Sequence, residues 1–359
     1  MQRNQEPFYL KRFDGRRTNS GRHESETNPS ESLGKSLLPI TYAKFAERIF
    51  DAPIYKDDVW LVSFHRTGST WCQEIIWLIN NNLDFETAKT TLQQFRAPHI
   101  ETSIFRYVYV DSVKSDLYTF PIPRYKKADL FFDQLPSSME STKTKLMELF
   151  ADSVSFVENM PSPRCLRTHL PVELLPEKMF TVKPKMIYTM RNPKDLCISY
   201  YFFCKMVHKL EIEFDEFCEL FLNDAIPSGS VFHHYFGFWN KRNELDILFI
   251  RYEELKTNTP AIVRKIAQFL GKTLSDDGVS AICDFLSFQN MRKNKALNLQ
   301  LDMQVLMRTP ETEDFYEKSG THFIRKGIVG DHKNYMSAEM IERFDKWIEK
   351  NTKGTDLAF

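Results

Sequence analysis

Apolar positions along the chain fall into short continuous runs, and these alternate with stretches of helical period. Trp60-Leu61-Val62-Ser63-Phe64 is a run of the first kind, the pattern of a strand buried on both faces. It stops at His65-Arg66-Thr67-Gly68-Ser69-Thr70. From Trp71 the period becomes helical, with Ile75, Ile76, Leu78 and Ile79 on one buried face. Cys165-Leu166-Arg167-Thr168-His169 reads as a short strand ended by Leu170-Pro171. Lys185-Met186-Ile187-Tyr188-Thr189-Met190 is a stronger strand. It runs into Arg191-Asn192-Pro193-Lys194-Asp195, with Pro193 placed to open a helix that continues through Tyr200 and Phe203. A third unit repeats the pattern: a strand at Asp246-Ile247-Leu248-Phe249-Ile250-Arg251, then Tyr252, then a helix from about Thr259 to Leu270. Strands alternating with helices predict an α/β fold, a single domain with a central parallel sheet flanked by helices. Ligands of such sheets sit beyond the carboxyl ends of the strands. The loop at 65–70, His169, Arg191 and Tyr252 all fall there.

The remaining stretches are less regular. Residues 1–35 are polar, rich in Arg, Asn, Ser and Glu, and read as a flexible tail before a domain over 36–359. Gly34-Lys35-Ser36 is not a phosphate-binding P-loop, because Pro29 stands where that motif needs glycine and no strand precedes it. Residues 84–160 have no clear period and mix Phe95, Phe105, Tyr107, Tyr109, Tyr118, Phe120, Phe131 and Phe132 with four prolines. The part from about 100 to 160 is too long for an ordinary loop. It is either a lid over an acceptor or an insertion that packs its own aromatics.

Charge narrows the partners. Lys+Arg and Asp+Glu both number 48, which argues against broad nucleic-acid binding or an acidic membrane surface and leaves room for a local basic pocket. Thirty phenylalanines fit either a roomy apolar cavity or simply an aromatic interior. The start has no apolar stretch of a secretory signal, no later run is long enough to span a membrane, and no Asn-x-Ser/Thr acceptor occurs. Cysteines 72, 165, 197, 204, 218 and 283 are scattered with no CxxC pair, as reduced core residues would be. A cytoplasmic location is expected.

Candidate chemistry gathers at the strand ends. A strand, a turn with one glycine and a helix start leave backbone N–H groups free to meet an anion. Arg66 adds a positive fork, and Thr67, Ser69 and Thr70 add hydroxyls. Such joints are common and most bind nothing, so the loop alone names no ligand. Arg191 and Ser199, about two helical turns apart, suit a second phosphate, as do Arg325-Lys326-Gly327. His169, at the end of a strand and near an anion site, is placed to take a proton from an attacking hydroxyl. His233, His234 and His322 lack metal-ligand spacing.

Together these sites resemble the cytosolic sulfotransferases, which use 3′-phosphoadenosine 5′-phosphosulfate. The family's phosphosulfate loop, Tyr-Pro-Lys-Ser-Gly-Thr-Thr-Trp, is similar to Phe64-His65-Arg66-Thr67-Gly68-Ser69-Thr70-Trp71. Its Lys-Thr-His-Leu-Pro motif, with the catalytic histidine, resembles Arg167-Thr168-His169-Leu170-Pro171. Arg191-Asn192-Pro193-Lys194-Asp195 through Ser199-Tyr200-Tyr201 resembles its 3′-phosphate segment. Tyr252, with Ser287-Phe288, resembles the residues around the adenine. Arg325-Lys326-Gly327, followed by Gly330-Asp331, resembles the closing loop. The resemblance runs from about residue 40 to 350. The stretch from Trp77-Leu78-Ile79-Asn80 to Lys89-Thr90, with the long insertion, is similar to insect members, including the retinol dehydratase branch.

The resemblance implies in-line sulfuryl transfer to a hydroxyl of a small, apolar acceptor such as a phenol, steroid or retinoid. Adenosine 3′,5′-bisphosphate would be the product and no metal would take part. It implies donor contacts from Arg66, Thr67, Gly68, Ser69, Thr70, Trp71, Arg191, Ser199, Tyr252, Ser287, Phe288, Arg325, Lys326 and Gly327. His169 would be the base, and Arg66 would stabilise the charge growing on the bridging oxygen. His99, Arg167, His169 and Phe203 would face the acceptor, and a homodimer would form through Lys333, Ser337-Ala338 and Glu342. The chain departs from the family in several places. Arg66 and Arg167 replace lysines, His99 stands where many members have a phenylalanine gate, and His332 replaces a tryptophan. Three other readings are sulfation followed by elimination, as in the retinol-converting relatives, a carrier of lipophilic alcohols without turnover, and a nucleotide kinase on the same sheet type, which would need a Gly-Lys-Ser/Thr phosphate-binding loop and a magnesium ligand, neither of which is seen.

Overall fold

The computed structural model describes residues 10–13, 36–39, 41–104, 140–207, 210–302 and 322–359. Four strands form a parallel sheet: β3 (Val59–Ser63), β4 (Cys165–Thr168), β5 (Lys185–Met190) and β6 (Ile247–Arg251), in the spatial order β4-β3-β5-β6. Each lies within a residue or two of where the apolar runs place it. The register sets Val62 beside Thr168 and Tyr188, and Met190 beside Arg251. All the carboxyl ends therefore come out at one edge. The chain leaves β3 towards β4 on one side and leaves β5 towards β6 on the other. This opens a crevice between β3 and β5, the switch point where ligands of doubly wound sheets bind.

Alternate side chains of the sheet feed two cores. Trp60, Val62, Met186 and Tyr188 join one apolar cluster, covered in part by the helices Pro193–Val207, Phe214–Leu222, Val231–Asn240 and Ala338–Thr352. Val59, Leu61 and Ile187 join the other, under Ser69–Asn80, Thr259–Phe269 and Asp276–Phe285. β3 is buried at all five positions, which is why it reads as a continuous apolar run rather than an alternating one.

Four expectations change. Leu10–Phe13, inside the segment read as a polar tail, forms β1 and pairs antiparallel with β2 (Ser36–Pro39). Its four residues, Leu-Lys-Arg-Phe, do not alternate and are too short a run to stand out as a strand. The first helix starts at Ser69 rather than Trp71. The helix expected from Thr259 is present as Thr259–Phe269, capped by Asn258, whose side chain accepts from Ala261 N–H, but an unexpected short helix, Tyr252–Thr257, precedes it. The irregular stretch holds the helices Phe85–Thr90, Gln93–Arg96, Glu140–Ala151 and Ser153–Glu158. These are short, or in the case of Glu140–Ala151 weakly amphipathic, so periodicity barely marks them. The lid reading falls largely on residues 105–139, outside the described residues, together with Phe105, Tyr107, Tyr109, Tyr118, Phe120, Phe131 and Phe132.

Candidate active site

At the crevice lies a cavity of about 300 Å³. Every candidate donor- and acceptor-site residue lines it except Thr67 and Ser287. The Thr67 hydroxyl donates to Phe64 O at 2.9 Å and meets Thr189 Oγ1 at 2.9 Å, which ties the loop to β5. Ser287 caps the helix Phe288–Lys293 by accepting from Asn290 N–H. These two hydroxyls hold the scaffold, and Thr67 can offer a ligand only its backbone.

The start of the helix Ser69–Asn80 differs from several others in the molecule. Asn258, Ser275 and Ser337 each cap a helix with a side-chain oxygen. Gly68 has no side chain to offer, so no side chain caps this helix and its first N–H groups are left for a ligand. Gly68 sits at φ +93°, and a Cβ there would lie 2.7 Å from Tyr252 Cδ2. Glycine thus serves both the left-handed turn and the close approach of an aromatic wall. Trp71 and Tyr252 meet edge to face at 6.4 Å between centroids. Gly327, at φ +63°, would put a Cβ 2.9 Å from the Phe288 ring. The closing loop therefore lies directly on the aromatic wall.

Cations surround this wall. The Arg191 guanidinium sits 4.2 Å from the Tyr252 ring centroid and reaches the carbonyls of Arg66 and Ile328 only at 3.3 and 3.4 Å. Among the described residues its buried Nε has no hydrogen-bond partner, nor has the Nε of Arg325. Arg325 and Lys326 share Asp331, at 2.7 and 3.2 Å. Asp331 holds both cations in place, and an incoming phosphate would compete with it. Burial alone would raise the carboxyl pKa of Asp195. Hydrogen bonds from the His332 ring and from the backbone N–H groups of Gly330 and His332 win and pull it down. His332 thereby pins the closing loop to the helix that carries Ser199. Sequence patterning attaches no consequence to this residue. Arg66 donates to Ser199 Oγ at 3.2 Å and to Phe323 O at 2.8 Å, and its guanidinium lies over the Phe203 and Phe323 rings.

His169 is the middle member of a row of three imidazoles whose rings are tilted to one another. His65 lies 4.2 Å and His99 4.5 Å away, centroid to centroid. His65 in turn stacks on Tyr200. Nothing in the spacing of residues 65, 99 and 169 foretells this arrangement. His169 Nδ1 is 2.7 Å from the carbonyl of Ser63. A carbonyl can only accept, so Nδ1 carries the proton and Nε2 keeps the lone pair. Burial drives the ring pKa down to about 3, and the neighbouring His99 adds to the shift. The backbone N–H of His169 donates to Glu101 Oε1 at 2.6 Å. Burial raises the pKa of Glu101 in its turn. Arg167 is fixed by Ala97 O at 2.6 Å and Gln93 Oε1 at 2.8 Å, and burial lowers its pKa to about 10. Among the described residues no cluster of His, Cys, Asp and Glu could hold a metal ion, and no helix is long and apolar enough to cross a membrane.

An uncapped helix start, aromatic walls, guanidinium atoms without partners and a neutral imidazole on one cavity suit a nucleotide-like anion beside a hydroxyl acceptor. Comparison with known proteins agrees. Residues 56–356 match the sulfotransferase domain family. The chain is 32% identical over 325 residues to luciferin sulfotransferase of Photinus pyralis, covering 90% of this chain and 79% of the relative. It is 31% identical over 340 residues to sulfotransferase 1E1 of Bos taurus, covering 93% and 98%. Among solved structures, retinol dehydratase in complex with androsterone and the inactive cofactor PAP superposes with a TM-score of 0.73. That match has 29% identity and covers 91% of this chain and 90% of the other.

Proposed function

The chain belongs to the sulfotransferase family, and from that footing we propose that it sulfates a hydroxyl of a small, apolar acceptor with His169 as general base. When bound, 3′-phosphoadenosine 5′-phosphosulfate supplies an activated sulfuryl group. The residues lining the site fit that donor. The N–H groups at Ser69 and Thr70 would hold the phosphosulfate, with Arg66 beside it. Trp71, Tyr252 and Phe288 would enclose the adenine. Arg191, Ser199, Arg325 and Lys326 would grip the 3′-phosphate. His169 carries the reading: its Nδ1–H is engaged by Ser63 O, so Nε2 is the nitrogen able to take the acceptor's proton. Arg66 keeps the positive charge of the lysine it replaces, at the start of the helix where charge develops.

Incubation with sulfur-labelled donor and a panel of phenols, steroids and retinoids tests this reading. A stable sulfate ester on an apolar acceptor is expected. If only carbohydrates or other acceptors without an apolar body were labelled, the apolar-acceptor assignment would be wrong. A second reading, sulfation followed by elimination, is favoured by the likeness to retinol dehydratase, with 30% identity and TM-score 0.73 for its complex with retinol and PAP. An alkene product with release of free sulfate would identify it. Lys333, Ser337, Ala338 and Glu342 are all exposed around one helix start, which supports a homodimer contact there. The six cysteines are unpaired and five are buried, in keeping with a reducing cytoplasm.

A further inference from the structure

The acceptor side of the cavity has polar atoms that neither the helix start nor His169 uses. Asp302 lies on the cavity wall and is 2% exposed. Its Oδ1 accepts from Gln94 Nε2 at 2.5 Å, while among the described residues its Oδ2 has no hydrogen-bond partner. Gln94 Oε1, on the same wall, has none either. A buried polar atom left unpaired costs about 1–3 kcal/mol, and native structures hold only a few per hundred residues. Two such oxygens on neighbouring, mutually bonded side chains in a ligand cavity need an explanation. Both are pure acceptors, so their complement is a donor.

We propose that Asp302 and Gln94 form a second anchor in the acceptor site, taking a hydrogen-bond donor (an ammonium or a second hydroxyl) carried by the acceptor beside its reacting hydroxyl. The inference rests on the sulfotransferase reading above. Burial raises the carboxyl pKa of Asp302 to about 6, and Arg167 nearby works against that rise. A donor ligand would favour the ionised form further. An acceptor with an apolar end would bury both oxygens unpaired, a much worse outcome than losing one contact.

Matched acceptors differing only in a terminal group provide the test: tyramine (ammonium), tyrosol (hydroxyl) and para-propylphenol (methyl), each at two tether lengths. Affinity is measured by calorimetry in the presence of adenosine 3′,5′-bisphosphate, and kcat/KM with labelled donor. At one tether length or the other, a donor-bearing acceptor should win over the methyl analogue by about tenfold or more. Asp302→Asn should shrink the ammonium preference roughly tenfold, and Asp302→Leu should abolish both preferences and favour the methyl compound. Which donor wins in the wild type distinguishes an amine from a diol acceptor. Equal ratios in wild type and variants, or tightest binding of the methyl compound by the wild type, would overturn the anchor. Absence of sulfated product with every acceptor would count against the reaction instead, while the binding ratios still decide the anchor.

Discussion

The two sides of the cavity are built differently. The side proposed for the donor is built mainly from short contiguous segments at the carboxyl ends of strands, 66–71 after β3, 191–199 after β5 and 252 after β6, joined by Phe288 and the loop 325–327. Its recognition atoms are largely backbone N–H groups and guanidinium forks, which suit phosphates. The acceptor side is assembled from side chains far apart in the chain. His65, His99 and His169 come from three separate segments, and Gln94 meets Asp302 across 208 residues of sequence. The donor side offers positive charge to an invariant ligand. The acceptor side presents imidazoles, aromatic rings and unpaired oxygens, and its chemistry can vary while the first half stays fixed.

Substitutions on each side should show separable effects. Arg191→Met removes a guanidinium with an unpaired buried Nε beside the aromatic wall. Loss of charge-assisted hydrogen bonds worth about 1.5–3 kcal/mol should weaken adenosine 3′,5′-bisphosphate binding ~10- to 100-fold by calorimetry, with acceptor KM nearly unchanged. An equal loss on both sides would erase the division. Gly68→Ala forces a Cβ into Tyr252 and a left-handed conformation costing about 1–2 kcal/mol. A fall of roughly tenfold in bisphosphate affinity is expected, and unchanged affinity would mean the wall moves freely.

The smallest effect lies in the pH profile. His169 is lowered to about 3 from the ordinary 6.5, so it stays neutral and able to accept a proton well below pH 6.5. The acid limb of kcat/KM should therefore not centre near 6.5. Between those two values the unfolded chain binds a proton that the folded one does not, so stability should decline as pH falls through that window. His234, also lowered to about 3 by burial, adds to the decline. His99→Phe removes one group that holds His169 down, so the acid limb should shift upward, with less than a threefold change in relative activity at pH 5.5. An unshifted limb would exclude any electrostatic part for His99.

The same division governs what the sequence discloses. The sheet, its strand ends and the residues at 66–71, 167–169, 191–199, 252 and 325–327 are legible because strand, turn and helix start are local patterns with local chemistry. Thr67 and Ser287 show the limit, since a hydroxyl in the right loop can turn inward to hold the scaffold. His65, Glu101, Asp302 and the Asp195–His332 pair are invisible to periodicity. Their roles depend on which distant segment the folded chain brings beside them. Single-residue departures from a family pattern, such as His99 and His332, acquire meaning only once those neighbours are known.

The central claim is that a neutral His169, held by Ser63 between two imidazoles, takes the acceptor's proton. Single-turnover transfer from labelled donor by His169→Ala tests it most directly, with bisphosphate binding measured on the same preparation. The account predicts transfer slowed by about 100- to 10,000-fold with binding preserved. Near-wild-type transfer by the alanine variant would contradict it.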